Sequence, residues 1–383
     1  SIAVLLLLRW TRARFFGVEL AGMLETPLRA EHENRGASLG TYFGCLLPER
    51  FSDFSKEYRW ARDAVAVLDT NYFAAVSFTG PDRVRYLNAL LTNNIQDLTH
   101  GHGCAALLLN PQGHILSELE VYAMPDQSFF TLSHALVRER TASTLDKYII
   151  MDDVTMEDLT DHQGCIAVEG SHAADVVKNL CGIDLMAMSE FDVAETKIGA
   201  SSCFLARRSH YGLPGARFLA ARELIPTLWR VLLDAARPTG GGPVGYAALN
   251  ALRIQAGIPW FSYDFDDTVI PHEAGLESTH ISFSKGCYTG QEIVERVRSR
   301  GHVNRRLVGL RFTSRIPPER GAKLLAEGHD VGHVTSAAFS PALAGVIGMG
   351  YLRREHNSTG SSVECASGGT ATVVELPFEA QQT

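Results

Sequence analysis

The chain changes its hydrophobic rhythm once, and that change limits the folds open to it. Beyond His302, short apolar runs at 307–312, 332–337, 346–351 and 370–376 follow one another, joined by Gly, Pro and Ser. No helical period interrupts them, which predicts a small all-β domain. Upstream, strands and helices alternate. Residues 74–78 read as a strand closed by Gly80-Pro81, and 82–91 as a helix with Val84, Leu87, Leu90 and Leu91 on one face. Apolar runs at 104–109 and 115–122 flank the turn-rich quartet Asn110-Pro111-Gln112-Gly113, the pattern of a hairpin. Further strands are expected at 129–133 and 164–169, and helices at 136–148, 173–180 and 226–236. A last helix runs through Ile254 after the break Gly240-Gly241-Gly242-Pro243. A hairpin inside an alternating pattern points to an α+β fold of mixed sheets and helices.

Composition removes some functional classes. A chain of 383 residues exceeds one compact layer pair, so two or three domains are expected. Thirty-five basic against 43 acidic residues give a net charge of −8, which argues against a surface built as a whole for nucleic acid. Seven cysteines, at 45, 104, 165, 181, 203, 287 and 365, form no C-x-x-C pair and no zinc-spaced ladder. A reducing, cytoplasmic compartment without an intrinsic metal site follows as the expectation. The apolar run at 2–8 is followed by Arg9, Arg12 and Arg14 and is far shorter than the ~20 residues of a membrane span. Residues 1–25 are therefore read as an extension, with no membrane partner. Gly36-Ala37-Ser38-Leu39-Gly40 spells a nucleophile elbow but lacks a preceding strand, and Gly101-His102-Gly103 opens no helix. Neither carries chemistry.

One octet does suggest chemistry: Lys285-Gly286-Cys287-Tyr288-Thr289-Gly290-Gln291-Glu292. The Thr289 to Glu292 spacing matches a capping box for a helix through Val297, leaving Cys287 just outside its N-terminus. The helix end and the Lys285 ammonium would both favour a thiolate, an activating position for a catalytic thiol. A tight turn around a small packed residue accounts for the spacing equally well.

The octet closely resembles the K-G-C-Y-x-G-Q-E signature of the YgfZ family of folate-binding proteins, relatives of the glycine-cleavage aminomethyltransferase, the T-protein GcvT. The resemblance runs from about Thr26 to Phe378 and is weakest at 182–200. It implies a folate-binding core over 26–301, of two subdomains, followed by a C-terminal β-barrel over 302–383, with the boundary near Gly301. It also implies tetrahydrofolate, or a derivative, as the ligand. In the transferases a carboxylate ending N-x-x-G-G-x-x-D-D lies against the folate. Here the matching stretch begins at Asn110 and ends at Glu118, one carbon longer than aspartate. Asn110 and Glu118 become candidate folate contacts and Glu118 a candidate catalytic carboxylate. The other possibility leaves Glu118 and Glu120 on the solvent face of an amphipathic strand. Arg253 matches the arginine of the family's L-R-x-E-x-G and suits bidentate binding of a folate carboxylate. It could instead form a structural salt bridge, with Glu273 of the Pro271-His272-Glu273 motif as partner. Tyr211 opens a turn resembling Y-T-G-E-x-G in which Leu213 replaces the glutamate that recognises the pterin.

The departures at Glu118 and Leu213, together with the octet, lead to the expectation of a tetrahydrofolate-binding protein that resembles YgfZ. Its role would lie in maintenance or assembly of iron–sulfur enzymes and, through them, in tRNA modification, without direct tRNA contact. The alternative is a folate-dependent aminomethyltransferase or related one-carbon transferase or demethylase. A third reading is a binding module that docks partners through Arg296, Arg298, Arg300, Arg305 and Arg306.

Overall fold

The order strand, helix, three-stranded meander, helix, strand occurs twice in succession. The computed structural model describes residues 24–378, so the apolar run at 2–8 lies outside the described residues. Strands β1 (Leu24–Glu25), β2 (Ser38–Tyr42) and β3 (Cys45–Arg50) form a small sheet, and β4 (Ala66–Asp69) follows. The first unit comprises β5 (Phe73–Thr79), the helix Arg83–Leu90, β6 (Gly103–Leu109), β7 (Ile115–Ala123), β8 (Phe129–His134), the helix Arg138–Asp146 and β9 (Thr155–Asp158). The second repeats it as β10 (Gln163–Glu169), the helix Ala173–Cys181, β11 (Val193–Ile198), β12 (Ser201–Arg207), β13 (Gly215–Ala221), the helix Ile225–Ala236 and β14 (Gly242–Pro243). The strand orders match, β6-β7-β8-β5-β9 and β11-β12-β13-β10-β4-β14, with β4 inserted in the second.

The last part is a closed six-stranded barrel. It comprises β15 (Arg305–Phe312), β16 (Lys323–Ala326), β17 (His329–Ser340), β18 (Gly345–Arg353), β19 (Ser362–Cys365) and β20 (Thr370–Val374), in the order β15-β18-β17-β16-β19-β20. Sequence periodicity finds four of these strands. The two it misses, β16 and β19, have four residues each, too few to express a period of two. It also misses β11, β12 and β13. The edge strand β11, Val-Ala-Glu-Thr-Lys-Ile, is buried only at its ends and carries no continuous apolar face.

Alternation along β7 sets the layers. Leu119 and Val121 pack with Leu87, Leu90 and Leu145 beneath the flanking helices. Tyr122, on the opposite face, joins Ala75, Phe130 and Leu132 against Cys165, Ala206 and Leu219 of the second sheet. Period-two side-chain direction therefore sends the even positions of β7 between the sheets. Each fully buried Leu or Phe there contributes roughly 1.5–3 kcal/mol. Among the described residues no helix is long and apolar enough to cross a membrane.

Candidate functional site

Strand register gathers the polar groups between the sheets. Glu118 and Glu120 of β7 lie opposite Leu107 and Ala105 of β6, while Glu120 also faces Leu132 of β8 and Phe73 of β5 faces His134. Glu118, Glu120, His134 and Phe73 therefore share one face, and they line a cavity of about 330 Å³. Its remaining wall comes from β13 through Arg217, from the β12–β13 turn through Arg208 and His210, from the loop carrying Trp260 and Phe261, and from the helix Glu277–His280 through Thr279 and His280. The volume and the few convergent polar groups among aromatic walls suit a small-molecule site.

Two charge clusters sit side by side. In the first, Glu118 Oε1 lies 3.1 Å from His280 Nε2 and Oε2 lies 3.5 Å from His134 Nε2. Burial pushes this carboxyl up, but the hydrogen bonds from His134 and His280 outweigh it and hold it well below the usual range. In the second, Glu120 is paired with fully buried Arg217 and, at 2.8 Å, with Arg208. Burial raises its carboxyl too, and the two guanidinium charges bring it down to about 2. Arg217 Nη2 also donates to His210 Nε2 at 3.1 Å, while His210 Nδ1 lies 3.1 Å from Glu169. Burial pulls the His210 imidazole below its ordinary value, so it stays neutral and accepts from Arg217. Among the buried atoms without a hydrogen-bond partner are His134 Nδ1 and Arg217 Nε, both on residues that line the cavity. Native interiors seldom leave such groups unsatisfied, and each needs a reason.

The structure redistributes most of the residues singled out in the sequence. Of these only Glu118 reaches the cavity, and it and Glu120 face the interior, not solvent. Arg253 is fully buried against Asp264, donates to Ser336 Oγ at 2.6 Å, and stacks 4.5 Å above Trp260. Thr335 and Ser336 hydroxyls complete the shell of Asp264 at 2.6 and 2.7 Å. Arg253 thus ties the core to the barrel, and its partner is Asp264 in place of Glu273. Glu273 pairs with Arg305 at 3.1 Å. Asn110 Oδ1 accepts from the backbone of Gln112 and His114 and holds its own turn. Tyr211 sends its hydroxyl to the Ala61 and Glu169 carbonyls, and the Leu213 N–H goes to Glu169. The turn is built around Glu169 and keeps both side chains out of the cavity lining.

The octet forms no capping box. Gly290 is the N-cap of the helix Gln291–Arg300, with no side-chain cap, and Glu292 pairs with Arg296 at 2.7 Å. Lys285 donates to the Asn88, Leu91 and Asn93 carbonyls at 2.6, 2.6 and 2.8 Å, closing the end of the helix Arg83–Leu90. Burial pulls its ammonium down to about 8. Gly290 has φ +84°, and a Cβ there would lie 2.7 Å from the Asn110 carbonyl oxygen. Cys287 is exposed, and neither it nor Lys285 lines the cavity. A single charged residue in an otherwise apolar strand, Arg217 within Gly-Ala-Arg-Phe-Leu-Ala-Ala, was a legible sign of this cavity, since a buried guanidinium requires a buried acid.

Residues 28–285 match the family model described as the GCVT N-terminal domain, and 305–379 match the glycine cleavage T-protein C-terminal barrel domain. An aminomethyltransferase of Chlorobium phaeobacteroides is 29% identical over 362 residues, covering 93% of this chain and 98% of its own. One from Rippkaea orientalis is 29% identical over 367 residues, covering 94% and 98%. The crystal structure of glycine cleavage system aminomethyltransferase T from Bartonella henselae shares the fold, with a TM-score of 0.85 at 23% identity over 94% of this chain and 99% of that one. These relatives are named for the transferase alternative, which overturns the expectation of an iron–sulfur maintenance role.

Proposed function

The chain belongs to the glycine cleavage T-protein family, and on that premise we propose that it is a folate-dependent aminomethyltransferase or a close one-carbon transferase. Tetrahydrofolate is the acceptor in this reading. The observation that carries it is the cavity at Glu118: a carboxylate at the end of the Asn110-to-Glu118 stretch faces a space of about 330 Å³. Two features fit a pterin. Phe73, Trp260 and Phe261 offer flat apolar surface for a bicyclic ring, and the polar side chains of Glu118, Arg208 and Thr279 on the same lining offer hydrogen-bond partners for its heteroatoms. When bound, the folate supplies the nucleophilic nitrogen that takes up the one-carbon unit. The protein's own residues orient it and exclude water. The Trp260 backbone N–H donates to Asp264 at 2.9 Å, which anchors that ring's segment beside the cavity. Replacement of the family aspartate by Glu118 moves the charge by one carbon. The pair of histidines that grips this carboxylate fixes where the longer side chain ends.

The test is a calorimetric titration with tetrahydrofolate, coupled to a transfer assay with an aminomethylated lipoyl carrier protein. Binding together with formation of methylenetetrahydrofolate is expected. Absence of any tetrahydrofolate binding would sink the reading, and binding without turnover would remove the transferase part of it.

A further inference from the structure

We propose that Glu190 decides which ring the cavity accepts, its carboxylate taking the exocyclic amino group of the bound ligand. The inference rests on the proposed function for the identity of that ligand, but it is carried by what the cavity lining leaves free.

Three carboxylates line the cavity, Glu118, Glu120 and Glu190, against two guanidinium groups, Arg208 and Arg217. The excess of negative charge favours a ligand that brings hydrogen-bond donors. The three acids differ in what they have left to offer. Glu120 has both oxygens filled: Oε1 accepts from Arg208 Nε at 2.8 Å, and Oε2 accepts from the Tyr122 hydroxyl at 2.8 Å and from Arg217. Glu118 is flanked by His280 and His134. Glu190 uses one oxygen only. Its Oε1 accepts from Arg208 Nη1 at 3.0 Å and from the Ser209 backbone N–H at 2.9 Å. Its Oε2 has no protein partner among the described residues, and the side chain is 37% exposed, against 20% for Glu118 and 7% for Glu120.

An exposed carboxylate is ordinarily a solvated one, but this one is braced. Glu190 and Phe191 form a turn closed by the Asp192 N–H, which donates to the Ser189 carbonyl at 3.0 Å. Phe191 stands in it at φ +69°, a left-handed conformation that disfavours a residue with a bulky side chain. That backbone places its ring on the cavity lining, 4.9 Å from the Arg208 guanidinium. A Cβ on Gly103 would lie 2.8 Å from the Phe191 carbonyl oxygen, so β6 closes against the turn and holds it in place. Arg208 is gripped by Glu120, Glu190 and the Phe191 face, and it fixes the direction of the Glu190 carboxylate. An aromatic face beside a carboxylate with one free oxygen suits a flat heterocycle that carries amino groups. The reduced pterin presents such an edge, an exocyclic amino group next to a ring N–H. Donation from that amino group to Glu190 Oε2 supplies a charge-assisted hydrogen bond, and a ring without it forfeits the bond.

Calorimetric titration of the full chain with tetrahydrofolate, and with the analogue whose 2-amino group is replaced by methyl, tests this. Wild type should bind tetrahydrofolate about 10- to 100-fold more tightly than the analogue, the range expected for one hydrogen bond to a charged group. In Glu190→Gln the one amide oxygen stays with Ser209 and Arg208, and an NH₂ donor meets the ligand's amino group. The preference should then collapse to within about threefold, through loss of tetrahydrofolate affinity alone. Glu190→Ala, which removes the acceptor outright, should do the same. Equal weakening of both ligands would mean that Glu190 only supports the wall through Arg208, and an unchanged preference would place the amino group elsewhere. Either result overturns the proposal. A wild-type chain that binds both ligands equally ends this inference alone, whereas one that binds neither ends the proposed function and this inference with it.

Discussion

The cavity face of β7 and the segment 285–292 both concentrate polar groups and glycines, yet they treat them oppositely. At the cavity, Glu118, Glu120, Arg208 and Arg217 stand around a space of about 330 Å³. In the segment, Lys285 is surrounded by three carbonyls, and Gly290 and Gly113 exist to let two backbones meet, since a Cβ on Gly113 would lie 2.9 Å from Ile293. Charged groups around an open volume mark a place for a ligand, whereas a charged group closed over by protein marks packing. The segment is a clamp that locks the Asn110–Gly113 turn, and through it the start of β7, in register. Arg253 belongs with the clamp by the same criterion.

The largest test of that division is Arg253→Ala. Removing the guanidinium leaves Asp264 buried and unpaired at the joint between core and barrel, which costs about 3–5 kcal/mol. Chemical denaturation should show the loss, while tetrahydrofolate affinity of the fraction that remains folded stays near wild type. A stable variant with weakened folate binding would move Arg253 to the ligand side of the comparison. Lys285→Ala comes next. It strips three carbonyls of a charged donor at the end of the helix Arg83–Leu90, and about 1.5–3 kcal/mol of stability should go with it. An unchanged midpoint would mean that water replaces the ammonium and that the clamp lies elsewhere.

Much of the fold was legible because hydrophobic period reports directly on burial. The β5-to-β8 unit and the main barrel strands follow from alternation bounded by Gly and Pro. The second unit was obscured where β11 runs along a sheet edge with Glu195 and Lys197 exposed. Of the candidate site the sequence reading reached only Glu118, although Arg217, a lone charge in an apolar strand, was open to the same reading. His134 and His280 are 146 residues apart in sequence, and nothing local to either announces that one carboxylate joins them. Cysteine and lysine in the octet drew a chemical reading because residue type and spacing were visible. The carbonyls that occupy Lys285 belong to a helix end almost 200 residues earlier and were not.

A smaller effect distinguishes the cavity carboxylate by its pH dependence. The folded pKa of Glu118 lies below its ordinary value of 4.5, so its contribution to stability is complete above that pH and is lost as pH falls through the folded value. Glu118→Gln should cost about 1–1.5 kcal/mol at pH 7, the difference between a charged and a neutral acceptor. Stability should then fall less steeply below pH 4.5 than in the wild type. Parallel acid limbs would show that the two histidines do not favour the ionised form.

The smallest effect concerns Cys287. The thiol is exposed and does not line the cavity, and the nearby ammonium is held by Asn88, Leu91 and Asn93. Cys287→Ser should therefore change stability by less than about 0.5 kcal/mol, as surface substitutions away from packed features do. Folate affinity and transfer rate should also stay at the wild-type level. Cys287 should be alkylated in the native protein through its exposure, whereas Cys45 and Cys165 should resist, because burial closes access and pushes both thiols up to about 12. Peptide mass spectrometry after a short iodoacetamide pulse reads all three sites at once. If Cys287→Ser lowers the transfer rate without altering the denaturation midpoint, the segment takes part in chemistry after all, and the separation between clamp and cavity fails at this residue.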